Sequence, residues 1–211
     1  MLPWDGGREA CAYDKSVTFE GPVGQPRASR SKAELRTRLR AARSARTEDP
    51  VGDDARTVRA LAACAGAEVV AAYVARPDEP ATADLIETLR LADVQVLLPV
   101  LRREPTWAWY AGPEHLSPGP LGIPAPDGPA LGPQALGQAQ WIWLPGLAGT
   151  PDGRRLGAGG GWYDRALAWA SPRARLGLLL FDDEVLDDVP TQEWDRSVHI
   201  LVTERRRVDA E

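Results

Sequence analysis

Apolar residues along the chain change their period near residue 69. From Ser31 to that point they recur at helical spacing. Ser31 followed by Glu34 spells a capping box, and Leu35, Leu39 and Ala42 then share one face, which predicts a helix ending near Thr47. A second helix is predicted next, capped by Asp53 or Asp54, with Val58, Leu61 and Ala62 as its apolar stripe and Gly66 at its stop. From Val69 onward short apolar runs alternate with amphipathic segments. Val69 to Val74, a helix near Ala83 to Leu91, and Val94 to Leu101 form a strand, helix, strand unit. Further strands are predicted at Trp107 to Tyr110, Trp141 to Leu144, Leu176 to Phe181 and His199 to Val202. Val94 to Leu98 is apolar at four of five positions, as in a strand covered on both faces of a mostly parallel sheet. The pattern is that of an α/β domain.

Two stretches break this pattern. Residues 1 to 29 hold Gly6, Gly7, Gly21, Pro22, Gly24 and Pro26 with no apolar period, and are expected to be a poorly ordered leader. Ala111 to Gln140 carries prolines at 113, 118, 120, 124, 126, 129 and 133, and is expected to be a long irregular loop. The domain is expected to occupy residues 30 to 205, with a polar tail at 206 to 211. No internal repeat is present.

Composition narrows the classes without choosing among them. With 211 residues, 44% hydrophobic and 26% charged, the chain suits one globular domain. No apolar run approaches the roughly 20 residues that span a bilayer, and Met1 to Ala12 lacks the pattern of a secretory signal. A cytoplasmic protein is expected. Cys11 and Cys64 are too few for a disulfide framework or a four-cysteine zinc site. The net charge is −5, yet Arg30 to Arg46 carries seven cations against the single acid Glu34. That run is either an anion-binding face or a solvated face balanced by acids elsewhere.

The richest chemistry lies in residues 144 to 165, LPGLAGTPDGRRLGAGGGWYDR, which lead from a predicted buried strand toward a helix containing Ala166, Leu167 and Trp169. Ligands of open α/β sheets bind at such junctions, where a helix N-terminus offers free N–H groups. Gly157, Gly159, Gly160 and Gly161 let the backbone wrap an oxyanion, and Arg154 and Arg155 add guanidinium donors. No lysine stands where a Walker A loop needs one, and Trp162 occupies a position where a dinucleotide fingerprint needs glycine. A phosphate site of another kind is indicated.

Pro145-Gly-Leu-Ala and Arg155-Leu-Gly-Ala-Gly-Gly-Gly-Trp-Tyr-Asp resemble the signature of the 5-formyltetrahydrofolate cyclo-ligase family. Lys32-Ala-Glu-Leu-Arg36, Tyr73-Val-Ala-Arg-Pro-Asp-Glu79 with Thr82, Leu98-Pro-Val, Gly122-Ile-Pro, and Trp194-Asp195 with Val202-Thr-Glu204 follow the family order. The resemblance covers residues 31 to about 204. It implies a three-layer α/β/α sandwich with a mostly parallel sheet, similar to the NagB/RpiA/CoA-transferase-like fold. It also implies ATP as co-substrate and Mg2+ as cofactor. The implied reaction transfers the γ-phosphoryl group to the formyl oxygen of 5-formyltetrahydrofolate; N10 then closes the ring, giving 5,10-methenyltetrahydrofolate, ADP and phosphate. Such chemistry depends on positioning and charge rather than on a protein nucleophile.

Residue by residue, the resemblance implies ATP contacts at Lys32, Arg36, Arg155, Gly157, Gly159, Gly160 and Gly161. Lys32 and Arg36, spaced i, i+4, project from one helix face. Asp164 and Asp195 match magnesium-linked acids, Glu79 the folate-contacting acceptor, and Val74 and Trp162 the substrate lining. Trp162 departs from the usual tyrosine, Ala125 and Thr150 stand where acids are common, and Trp194 stands where histidine is common. His199 is expected to be structural. A monomer without membrane or nucleic-acid partners is expected. Two rivals stay open, a non-catalytic folate or nucleotide binder motivated by the departures and a sugar-phosphate isomerase-like enzyme on a similar scaffold.

Overall fold

The computed structural model describes residues 31 to 192 and 195 to 210. The predicted leader, Cys11 and Trp194 lie outside them.

The capping box forms as expected. Ser31 Oγ accepts from the Glu34 amide at 3.2 Å, and Glu34 Oε2 accepts from the Ser31 amide at 3.1 Å. Helix α1 runs Lys32–Ser44, stopping short of Thr47. Leu35 and Leu39 are buried, but the next inward position is Arg43, and Ala42 faces solvent. Helix α2, Pro50–Ala63, is capped by Asp49, whose Oδ1 accepts from Gly52 N at 3.0 Å. Neither Asp53 nor Asp54 caps it, because Pro50 already occupies the first helical position. Its buried face carries Arg56 and Ala60 while Val58 is exposed, so the predicted stripe is rotated. Gly66 lies past the helix end with φ +82°. Helix α3 is Ala83–Leu91.

Seven strands build the sheet. They are β1 (Val69–Ala71), β2 (Gln95–Pro99), β3 (Trp107–Trp109), β4 (Trp141–Leu144), β5 (Arg175–Leu179), β6 (Ile200–Val202) and β7 (Arg207–Asp209). Their order is β7-β6-β5-β4-β1-β2-β3. The five central strands are parallel, and β3 and β7 close the two edges antiparallel. Residues 206 to 211 were expected to lie outside the domain; instead β7 pairs Val208 with Leu201 of β6. The sheet separates two cores. Val70, Trp141, Trp143 and Val202 face α2 and α3, whereas Ala71, Ile142, Leu144 and Leu176 face the other way. That second face is covered by helix α4 (Trp162–Leu167) and a 3-10 helix at Pro133–Gln138, completing three layers. Gly177 admits the Trp143 indole, since a side chain there would overlap the ring.

The Pro-rich stretch is more ordered than expected. It holds three 3-10 turns and a two-residue pairing of Leu116–Ser117 with Ala125–Pro126. Between β4 and α4 a tight hairpin pairs Ala148–Gly149 with Arg155–Leu156, so strand and helix do not join directly. Helix α4 ends at Leu167, and Trp169 is exposed beyond it.

Candidate active site

Two cavities open along the edge where the parallel strands end. The first, about 130 Å³, lies between α1 and the segment after the hairpin. Lys32, Arg36, Arg155, Gly157, Gly159, Gly161, Asp164 and Asp195 all line it. The chain brings these together by bonding α1 to the loop. Arg36 Nε donates to Gly157 O at 2.9 Å, and Arg40 Nη2 donates to Ala158 O at 2.6 Å. Using the carbonyls in this way holds the Gly-rich segment open toward the cavity. Gly159 sits at φ +100° and Gly161 at φ +64°. A Cβ on Gly159 would lie 3.3 Å from the Arg36 guanidinium carbon. Gly160 has an ordinary φ, nothing within 4 Å of its Cβ direction, and no place in the lining.

Both predicted metal acids hold cations. Lys32 Nζ lies 2.7 Å from Asp195 Oδ2, which also accepts from Gln192 N at 2.8 Å. Burial alone would raise the Asp195 carboxyl pKa; the Lys32 and Gln192 hydrogen bonds outweigh it and hold the pKa low. Arg155 Nη2 meets Asp164 Oδ1 at 2.5 Å, with the arginine side chain 5% exposed. Arg155 Nε is buried without a hydrogen-bond partner among the described residues. The cavity thus holds three cations, two acids and glycine backbone, the make-up of an anion cradle. Among the described residues no cluster of three or more His, Cys, Asp or Glu could hold a metal by itself. Arg154 points away, toward Asp152 and Asp188.

The second cavity, about 790 Å³, lies past the ends of β1 and β2. Val74 and Glu79 share its wall with Ile86, Leu98, Tyr110 and Phe181. Thr82 shapes this wall, since its hydroxyl donates to Tyr73 O at 2.7 Å and accepts from Ala75 N at 3.0 Å. Glu79 Oε2 accepts from Arg76 N at 3.0 Å, which fixes the carboxylate. Tyr110 donates to Glu87 at 3.0 Å, and burial, then that bond, push its pKa up to about 12. Phe181 was missed in the sequence. It carries Arg46 at 4.2 Å, Arg56 at 4.9 Å and Arg43 at 5.6 Å from its ring centre.

Trp162 is not with Val74 and Glu79. Its indole donates to Arg102 O at 3.2 Å and packs edge-on against Trp107 at 5.4 Å, tying α4 to the β2–β3 loop. Tyr163 packs against both cores. Gln192 was also missed; its side chain takes Lys32 Nζ at 3.3 Å. Thr150 is fully buried within the hairpin and accepts from Arg154 N at 3.1 Å, while Ala125 pairs with Ser117. Neither departure lines either of these two cavities. His199 is structural as expected, its Nδ1 accepting from Leu176 N at 2.9 Å.

An anion cradle and a larger half-apolar cavity at the carboxyl edge of a parallel sheet mark a phosphate-using α/β enzyme. The chain belongs to the 5-formyltetrahydrofolate cyclo-ligase family, whose sequence model matches residues 28–204. It is 33% identical over 192 residues to a 5-formyltetrahydrofolate cyclo-ligase of Mycolicibacterium smegmatis, covering 86% of this chain and 97% of that one. A 5-formyltetrahydrofolate cyclo-ligase of Haemophilus influenzae is 28% identical over 134 residues, 61% of this chain and 72% of that one. The NMR structure of Aquifex aeolicus 5,10-methenyltetrahydrofolate synthetase superposes with TM-score 0.71 at 26% identity, covering 84% of this chain and 92% of that one. A 5,10-methenyltetrahydrofolate synthetase from Mycoplasma pneumoniae shares the fold, with TM-score 0.66 at 16% identity over 83% of this chain and 99% of that one. Among the described residues no helix is long and apolar enough to cross a membrane.

Proposed function

We propose that this cyclo-ligase binds the triphosphate of ATP in the cradle between α1 and residues 155 to 161, and the folate in the larger cavity against Glu79. The convergence of Lys32, Arg36, Arg155 and Gly159 carries the assignment: packing of Leu35 and Leu39 on Leu147, Ala148 and Leu156 brings α1 to the hairpin, but it does not require three cations and bare glycine backbone to line one cavity. Lys32, Arg36 and Arg155 bind the phosphate oxygens and hold the γ-phosphoryl group in line with its acceptor. Asp164 and Asp195 would hold magnesium. Two carboxylates in the same cavity fit that ion when phosphate and water oxygens complete its shell. The ion supplies charge neutralisation on the transferring group. Asp195 pairs with Lys32 and Asp164 with Arg155; with the ion held by the two acids, those two cations would be available to the phosphates.

On the other side, Glu79 accepts from the N–H edge of the pterin, and Val74, Ile86 and Leu98 cover its faces. Phe181 offers a further ring surface, stiffened by the guanidinium groups around it. No protein nucleophile is required. Purified protein supplied with ATP, magnesium and 5-formyltetrahydrofolate should generate the near-ultraviolet absorption of the methenyl product, together with stoichiometric ADP. Nucleotide and folate binding without turnover would identify a binder instead.

A further inference from the structure

We propose that the mouth of the larger cavity selects its substrate by the charge of the tail, favouring 5-formyltetrahydrofolate with a single glutamate over forms lengthened by γ-linked glutamates; this rests on the folate assignment above. The pterin end of that substrate carries N–H groups, and the opposite end carries carboxylates. A single glutamate ends in two of them, and each added γ-linked glutamate contributes one more. The cavity of about 790 Å³ lies within the roughly 300 to 1,000 Å³ of small-molecule sites, so the flat end fills the interior and the tail meets the mouth.

The lining has the wrong sign for such a tail. Eight carboxylates share it with three guanidinium groups, those of Arg43, Arg46 and Arg76, whereas the cradle sets three cations against two acids. All three arginines are already engaged. Arg43 is buried on Glu184, Arg46 meets Asp183 over the ring of Phe181, and Arg76 Nε lies 3.6 Å from Glu79 Oε1 and 3.7 Å from Asp78 Oδ1. Among the acids, Asp53 and Glu87 pair with Arg56 and Arg90. Glu48, Asp54 and Asp84 are exposed at the mouth and form no ion pair among the described residues. No exposed residue of this lining is a lysine or arginine.

The three acids come from separate segments. Glu48 precedes the cap of α2, Asp54 lies within α2, and Asp84 stands in the first turn of α3, so carboxylates border the mouth from both helices. Each acts weakly through water. Two like charges about 10 Å apart lower affinity by a factor of roughly two in bulk solvent, and salt screens that effect within a Debye length of about 8 Å at physiological ionic strength. Several such acids act on every added carboxylate of the tail, and repulsion of the longer form discriminates as effectively as attraction to the shorter one.

The test measures KM, at saturating magnesium-ATP, for 5-formyltetrahydrofolate bearing one glutamate and bearing three, at about 20 mM and about 500 mM salt. At low salt the triglutamate should show a KM roughly fivefold or more above that of the monoglutamate, narrowing to within about twofold at high salt. In a folded Glu48→Gln, Asp54→Asn, Asp84→Asn variant the low-salt difference should fall to about twofold, and Asp54→Lys, as a second variant, should reduce it on its own. A triglutamate KM equal to or below that of the monoglutamate at low salt overturns the selection. So does a difference that neither salt nor neutralisation changes, the result that steric exclusion gives. Glu79→Gln separates this inference from the assignment beneath it. A raised KM for both tails in that variant, without any tail difference in wild type, overturns the selection alone; an unchanged KM for both tails removes the folate from this cavity and the selection with it.

Discussion

Gly159 is the glycine of its loop that the structure most constrains. Its φ is +100°, and any Cβ would press on the guanidinium of Arg36. Gly159→Val combines a backbone strain of about 1 to 2 kcal/mol with displacement of a cradle cation. ATP affinity should fall roughly tenfold or more while the melting temperature drops by a few degrees, as calorimetric titration and thermal unfolding would record. Gly160→Ala, at an open position with ordinary φ, should leave both nearly unchanged. The string of glycines identifies the loop in the sequence, but it does not say which of them need positive φ; that depends on where α1 lays Arg36. His199 gives a residue-scale prediction in pH. Burial, then the charges of Arg175 and Arg196, lower its pKa below 6.5, and its Nδ1 accepts from Leu176. The folded chain therefore resists a proton that the unfolded chain accepts. The associated stability is fully present above pH 6.5 and declines as pH falls through the lower, folded value. Melting temperature should decrease from about pH 7.5 to about pH 5.5, and decrease less in His199→Asn, which retains an acceptor.

At the scale of elements, the basic run of α1 divides between two jobs. Lys32, Arg36 and Arg40 face the loop, whereas Arg43 turns inward to Glu184, with Nε–Oε1 2.7 Å, Nη2–Oε2 2.8 Å and a further bond from Nη2 to Gly146 O at 2.6 Å. Both side chains are only 1% exposed. Burial alone would lower the Arg43 pKa, but the Glu184 carboxylate overrides it and holds it raised. Arg43→Met strands a buried carboxylate and should cost about 3 to 5 kcal/mol, or about 10 °C in melting temperature for a chain of this size. Restoring most of that loss with Arg43→Met, Glu184→Leu would identify desolvation of the lone charge as the cause. The same inward charges rotate the helical stripes away from the positions that apolar spacing predicts. Arg43 and Arg56 occupy core-facing positions that an apolar template assigns to Ala42 and Val58, because their partners include Glu184 and the Leu180 carbonyl, in the segment that follows β5 and over a hundred residues away. Strand β7 leaves no apolar pattern in the sequence for a related reason. Only Val208 among its three residues is apolar, and pairing with β6 makes it a strand. Runs covered on both faces, such as Trp141 to Leu144, were legible because burial alone determines them.

Across the whole molecule, five parallel strands end along one edge, and α1 returns to that edge to meet the loop after β4. This arrangement gives the two cavities distinct linings, since none of the residues lining the cradle lines the larger cavity, so the two proposed substrates need meet only where the γ-phosphoryl group reaches the formyl oxygen. The contents of the cradle could be read from sequence because the Gly-rich string and the α1 cations carry distinctive residue types. Trp162 could not be placed, because its aromatic character suits a ligand wall and a packing tie equally; its bond to Arg102 O depends on how the β2–β3 loop folds back. Separate cavities lead to separable defects. Glu79→Gln removes the charge proposed to receive the pterin edge while keeping an amide of the same shape beside Arg76, so the wall should remain folded. A charged hydrogen bond is worth about 1.5 to 3 kcal/mol, so kcat/KM for 5-formyltetrahydrofolate should drop roughly ten- to a hundredfold. The dissociation constant for magnesium-ATP should stay within about twofold of wild type, because no Glu79 atom borders the cradle. Lys32→Ala should produce the reverse, a roughly tenfold or greater loss of ATP affinity with folate affinity retained, as it removes a cradle cation and leaves Asp195 unpaired. Steady-state kinetics with each substrate varied, paired with direct titration of ATP, distinguishes the two patterns. Equal loss of both affinities in Glu79→Gln would place nucleotide and folate in one shared cavity and overturn the two-cavity assignment.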